Sequence, residues 1–152
     1  RFAQRKTPKL DISSFINRGV SAPIAARTFV PEHSFADFKL NSRLLRSLKD
    51  RGYTQPTAIQ DKIILSVMQG KDVVGLSNTG TGKTAAFLVP LIEKVLHNPQ
   101  EQILIITPTR ELALQIEQEL QSITNNMHMY SVACVGGENI KIQILQKMAK
   151  TT

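Results

Sequence analysis

The stretch Val73-Val74-Gly75-Leu76-Ser77-Asn78-Thr79-Gly80-Thr81-Gly82-Lys83-Thr84 constrains this chain more than any other. A short apolar run, residues 73–76, leads directly into a glycine-rich loop, and a helix-forming run opens at Lys83. That order is what an anion cradle needs. Successive backbone N–H groups must curl inward around the anion, and glycine permits the required φ/ψ. The helix N-terminus adds unpaired N–H groups and the positive end of its dipole. The loop 77–84 is therefore expected to hold the phosphates of a nucleoside triphosphate. Lys83 would reach the β- and γ-phosphates, and the Thr84 hydroxyl would bind Mg2+. The strict pattern G-x-x-x-x-G-K-[ST] is missed only at its first position, where Ser77 stands, and serine is small. The competing reading is a glycine-rich surface turn ahead of a chance Gly-Lys-Thr, and the strand before and helix after weigh against it. Kinases, GTPases, transport ATPases and helicases share such loops, so the loop alone does not choose among them.

The rest of the chain repeats the strand-then-helix rhythm. Asn41 or Ser42 can cap a helix through Arg51, with Leu44, Leu45 and Leu48 on one face and Gly52 ending it. Thr57 caps a second, with Ile59, Ile63, Ile64 and Val67 inward, stopped at Gly70. Residues 73–76 read as a buried strand, and a helix runs from Lys83 to about His97. Residues 103–107, rich in β-branched side chains, form the next strand, and Pro108 and Thr109 open a helix to about Ile123. Residues 130–135 form a third strand, followed by Gly136-Gly137 and a helix from about Ile140 to Lys147. Continuous apolar strands alternating with helices predict an α/β domain with a parallel sheet and helices on both faces.

At 152 residues the chain fits one domain with a real core. No apolar run is long enough to span a membrane. Arg1, Arg5, Lys6 and Lys9 are not followed by an apolar stretch, which excludes a secretory signal and leaves an organelle address open. The chain opens on Arg1 rather than Met, as a processed or cut product would. The single cysteine, Cys134, reads as a small buried hydrophobe, and a reducing cytoplasm is the natural compartment. Of the net charge of +7, residues 1–33 carry +4, from six basic and two acidic residues. With Pro8, Pro23 and Pro31 they read as a basic, mostly extended arm, with a short helix over 12–17 after Asp11. Such an arm either meets a polyanion, most commonly nucleic acid, or is a solubilising tail. The ordered unit is placed at 34–152.

The nucleotide base is addressed upstream, in Gly52-Tyr53-Thr54-Gln55-Pro56-Thr57-Ala58-Ile59-Gln60. The Gln60 carboxamide offers one donor and one acceptor, matching the N6/N7 edge of adenine, and the Tyr53 ring is flat enough to stack. A glutamine on a helix surface is more often simply solvated. The whole pattern, however, resembles the Q motif of DEAD-box RNA helicases, Gly-aromatic-x-x-Pro-Thr-x-Ile-Gln, with an aromatic seventeen residues before the glycine; here that is Phe35. Residues 77–84 look like the family's motif I, Pro108-Thr109-Arg110-Glu111-Leu112-Ala113 matches its motif Ia, and Gly136-Gly137 resembles its GG motif. The resemblance runs from about Phe35 to the end of the chain. It implies a RecA-like ATP-binding domain of an ATP-dependent RNA helicase. Tyr53 would stack on adenine, Gln60 would bond it with Thr57 in support, and Phe35 would brace the motif. Ser77, Asn78, Thr79, Gly80, Thr81, Gly82, Lys83 and Thr84 would wrap ATP and Mg2+. Pro108, Thr109, Arg110, Gly136 and Gly137 would hold the backbone of single-stranded RNA, without reading its sequence.

The family's Asp-Glu-Ala-Asp and Ser-Ala-Thr motifs do not occur in these 152 residues, nor do the arginine-rich motifs of a second RecA-like domain. The chain by itself is thus expected to bind ATP and hydrolyse it negligibly. Its three strands should keep gaps or exposed edges and leave it marginal or aggregation-prone. Two alternatives stand beside the helicase reading: a truncated module that binds nucleotide or RNA without turnover, and a different P-loop enzyme such as a small-molecule kinase or DNA helicase.

Overall fold

Leucines spaced four apart begin the fold. The structure is a computed structural model that describes residues 29–137 together with Lys141 and Gln143. The first helix, α1 (Ser42–Asp50), buries Leu44 and Leu48 completely. Each such leucine contributes about 1.5–3 kcal/mol. Asn41 caps α1, its side chain accepting from the Arg43 N–H at 3.0 Å. Gly52, at φ 82°, turns the chain out of it. A second helix, α2 (Ala58–Met68), buries Ile64, while Ile59, Ile63 and Val67 are half-buried. Phe35 and Phe38 are buried in the same core cluster, their rings edge to face at 5.9 Å.

The most deeply buried helix is α3 (Lys83–His97), with Ala85, Ala86, Leu88, Val89 and Ile92 in the core. Pro90 sits inside it and is itself buried. Its missing N–H leaves the Ala86 carbonyl without its usual helical donor, a cost that the surrounding packing offsets. Buried Glu93 ties α3 to α1, its carboxylate accepting from the Asn41 N–H at 2.8 Å, where α1 exposes the positive end of its dipole. The fourth helix, α4 (Arg110–Thr124), starts on Thr109, whose hydroxyl accepts from the Leu112 N–H at 3.2 Å. Ser47 of α1 donates to the Ile123 carbonyl of α4 at 2.6 Å. Among the described residues no helix is long and apolar enough to cross a membrane.

The four helices lie where the sequence places them, within a residue or two at their ends. The strands differ. Segments 71–78, 101–107 and 129–135 carry neither helical nor ladder hydrogen bonding, so no parallel sheet is formed among the described residues. Over 104–107 side-chain burial nevertheless alternates as in a strand. Ile105 packs on the helical core, while Leu104 and Ile106 are 84% and 85% exposed. Gly75 lies over Ile59 and Ile63, while Val74 and Leu76 are 89% and 88% exposed. Burial on both faces, which a parallel strand requires, is met here on one face only. Cys134 belongs to the same pattern: it is exposed, not buried as the sequence implies, and its neighbour Val135 turns inward. The arm, the 12–17 helix and most of the last helix lie outside the described residues; Lys141 and Gln143 are helical, as expected.

Candidate functional site

The phosphate loop occupies the junction of segment 71–78 with α3. Gly80 and Gly82 take φ of 76° and 85°, a region that other residues enter only with strain. The Lys83 ammonium folds back over the loop, donating to the carbonyls of Ser77 at 2.6 Å and Asn78 at 2.5 Å. Thr81 Oγ1 donates to the Asn78 carbonyl at 2.8 Å and lies 2.8 Å from Ser77 Oγ, which tightens the same turn. Thr84 follows in the first turn of α3, half-buried.

The glutamine of the upstream run meets this loop directly. Gln60 is 2% exposed. Its Oε1 accepts from the Thr57 N–H at 2.9 Å and its Nε2 donates to the Gly82 carbonyl at 3.1 Å. A backbone donor on one side and a carbonyl on the other fix which end of the amide is oxygen. Thr57 Oγ1 donates to the Thr81 carbonyl at 2.8 Å. Thr57 and Gln60 are thus bonded to Thr81 and Gly82 of the loop, 24 and 22 positions further along the chain. The fit leaves no room for a side chain: a Cβ on Gly82 would collide with the Gln60 amide and lie 3.2 Å from Thr57 Oγ1. Each end of a carboxamide keeps one further hydrogen-bonding position, which is what adenine would use.

Tyr53 stands edge-on to Phe35, ring centroids 6.1 Å apart, so the upstream aromatic does brace it. Its hydroxyl donates to Glu119 Oε1 of α4 at 2.7 Å. Burial first, and then the Glu119 carboxylate, push the phenol up to about 12, so it stays a neutral donor. This tie to α4 has no signature in the local sequence.

A second element that sequence reasoning missed lies beside Gln60. Asp61 is buried; its Oδ2 accepts from the Glu32 N–H at 2.7 Å, and its Oδ1 lies 2.7 Å from His33 Nδ1. Burial alone would raise the Asp61 carboxyl, but the Glu32 N–H and the His33 ring outweigh it and hold the carboxyl below its ordinary value. An acidic residue immediately after Gln60, on the buried side of an apolar helix, was the available signal. A folded-state value below the unfolded one means that Asp61 stabilises the fold above about pH 4 and that this is lost as pH falls further. We expect Asp61→Ala to cost about 1–3 kcal/mol at neutral pH, because the Glu32 N–H is left without its acceptor. In urea denaturation the gap between the two proteins should close as pH drops through the acid range.

At the other end, Pro108 and Arg110 are exposed and flank the capping residue Thr109. The Thr107 hydroxyl donates to the Thr109 carbonyl at 3.0 Å. Gly137, at φ 83°, lies against the Arg110 guanidinium: a Cβ there would stand 2.8 Å from Nη1 and 3.4 Å from Cζ. Arg110 and Gly137, assigned to one RNA face from two separate motifs, are therefore in contact. Gly136 faces open space. Among the described residues no cluster of three His, Cys, Asp or Glu could hold a metal. Mg2+ in nucleotide sites keeps mostly phosphate and water ligands, so a single hydroxyl such as that of Thr84 fits a metal carried in with the nucleotide.

Comparison with known proteins places the chain in a family. A family model described as DEAD/DEAH box helicase matches residues 57–151. The chain is 43% identical over 110 residues to the DEAD-box ATP-dependent RNA helicase RhpA of Helicobacter pylori, covering 72% of this chain and 22% of that protein. It is 40% identical over 109 residues to the ATP-dependent RNA helicase SrmB of Escherichia coli, covering 68% of this chain and 24% of the relative. It thus spans about a quarter or less of the length of these relatives. Among solved structures, a DEAD box protein from the hyperthermophile Methanococcus jannaschii superposes with a TM-score of 0.67 at 35% identity, over 77% of this chain and 32% of that one. An RNA-helicase from Chaetomium thermophilum bound to ADP superposes with a TM-score of 0.68 at 35% identity, over 76% and 30%. These likenesses support the RecA-like fold.

Proposed function

The chain belongs to the DEAD/DEAH box helicase family, and from that membership we propose that it is the ATP-binding and first RNA-contacting part of an ATP-dependent RNA helicase. The observation that carries this reading is the pair of bonds from Gln60 and Thr57 to Gly82 and Thr81. They make the base selector and the phosphate loop one rigid unit, so adenine and phosphates are judged together.

On binding, ATP would draw the Lys83 ammonium from the Ser77 and Asn78 carbonyls onto the β- and γ-phosphate oxygens, trading neutral acceptors for anionic ones. The backbone N–H groups of 80–84 would close around the same oxygens. Thr84 would hold Mg2+, which supplies charge neutralisation on the phosphates. Arg110, Thr109 and Gly137 would grip the RNA backbone through charge and main-chain contacts, which do not discriminate sequence. In the complete helicase the segments 71–78, 101–107 and 129–135 would be strands of a parallel sheet, with the bare side of Val74, Leu76, Leu104 and Ile106 covered. A second RecA-like domain would supply the remaining charges for hydrolysis. Residues 1–152 taken alone would hold ATP without turning it over, and the reducing cytoplasm would keep Cys134 a thiol.

The adenine assignment is tested by Gln60→Ala in the full-length gene product that contains these residues. Its preference for ATP over GTP should fall about tenfold, since a site built around a base's hydrogen bonds loses discrimination when they go. Equal hydrolysis of ATP and GTP by the unmodified protein would defeat the assignment. The alternative is a module that binds nucleotide or RNA without turnover. RNA-stimulated phosphate release by the full-length product decides between the two.

A further inference from the structure

Gln143 is buried in a short stretch of the chain that the motifs do not cover. Both ends of its carboxamide are spent on one backbone residue. Oε1 accepts from the Val135 N–H at 3.2 Å, and Nε2 donates to the Val135 carbonyl at 3.0 Å. The side chain thus acts as a strand partner would, satisfying a buried donor and a buried acceptor with one planar group. An apolar residue there would leave both unmet. Val135 is the residue immediately before Gly136-Gly137, and Gly137 lies against the Arg110 guanidinium. Neither glycine has a side chain with which to hold its own position. Gly136 faces open space, and Gly137 touches the mobile end of an arginine. The fixed point next to them is the pinned backbone of Val135.

We propose that Gln143 is a positioning residue for RNA binding: by clamping Val135 it sets the position of Gly137 against Arg110, and so the place where the guanidinium meets a phosphate. This rests on the RNA reading of Arg110 and Gly137 given above. The side-chain type follows from the geometry. Glutamate has the same shape but presents two acceptors at neutral pH, one of them facing the Val135 carbonyl. Asparagine keeps the donor and the acceptor but is one methylene short of the span.

The test uses the full-length gene product and a short fluorescein-labelled oligouridylate, with a fluorescent ATP analogue titrated in parallel. Gln143→Glu should weaken RNA binding about tenfold, one lost charge-assisted contact. The slope of log affinity against log salt should shrink by about 0.7, one phosphate contact on a single strand. ATP affinity should stay within about twofold, since the phosphate loop is not touched. On an Arg110→Ala background the same change should cost nothing further, because both act through one guanidinium. Gln143→Asn should show the same selective loss, smaller in size, and it decides the matter if the Glu variant no longer binds ATP and has failed to fold. Unchanged RNA affinity in these variants, a loss additive with Arg110→Ala, or an equal fall in ATP affinity in the Asn variant overturns the inference. Absence of RNA binding in the unmodified protein overturns the functional reading itself, whereas equal RNA binding by unmodified and variant proteins overturns this inference alone.

Discussion

Lys83→Ala is expected to reduce ATP hydrolysis by the full-length product at least about 10²–10³-fold, the usual cost of removing a preorganised donor aimed at developing charge. The structure adds a reason beyond the lost charge. Lys83 is bonded to the carbonyls of Ser77 and Asn78, so its ammonium both neutralises the loop's carbonyl face and holds the turn shut. Alanine would remove the proposed phosphate ligand and the clasp together. ATP affinity should therefore fall along with turnover. Lys83→Arg keeps the charge but spreads it over a planar fork that does not reproduce the compact ammonium bonded to both carbonyls; it should recover affinity more than turnover. Phosphate release and a fluorescent nucleotide titration check both. Hydrolysis within threefold of the unmodified protein would end the assignment of Lys83.

Gly137→Ala is expected to weaken RNA binding about tenfold and leave ATP binding unchanged, the loss being that of one charge-assisted phosphate contact. The new methyl would meet Arg110 Nη1 at 2.8 Å. That atom is the far end of a flexible side chain, so the arginine moves and the backbone need not. The left-handed conformation at φ 83° adds a stability cost of about 1–2 kcal/mol. The fold survives while the guanidinium is displaced. Salt titration should show a slope smaller by about 0.7. Arg110→Ala should reproduce it, and the double variant should be no worse than either. A Gly137→Ala protein that loses ATP and RNA affinity in proportion would show that the glycine serves the fold and not the RNA face.

Much of the site is legible in contiguous residues. The loop 77–84 announces itself because phosphate binding is local chemistry: neighbouring N–H groups, two glycines and the helix that begins at Lys83. Helix boundaries follow from Asn41, Thr57, Thr109 and Gly52 for the same reason, since a cap acts within three or four residues of itself. The apolar segments are legible as strands by composition. Yet the two-sided burial that composition implies is met on one side only, because a strand's ladder partner and covering layer are set by distant chain, not by its own side chains. Cys134 was misjudged on the same ground: in a two-residue period, a shift of one position exchanges inside for outside.

The contacts that join the motifs could not be read from any local pattern. That Gln60 is bonded to Gly82, that Tyr53 reaches Glu119, that Asp61 holds the Glu32 backbone and that Arg110 lies against Gly137 are meetings between residues some twenty to sixty-six positions apart. They depend on how α1, α2, α3 and α4 pack, and close packing fixes such distances to tenths of an ångström only once the whole cluster has formed. The form of the loop 77–84, and the phosphate ligand expected of it, follow from residues that are neighbours in the chain. Which of those residues are already engaged, and with what, follows from residues that become neighbours only in space.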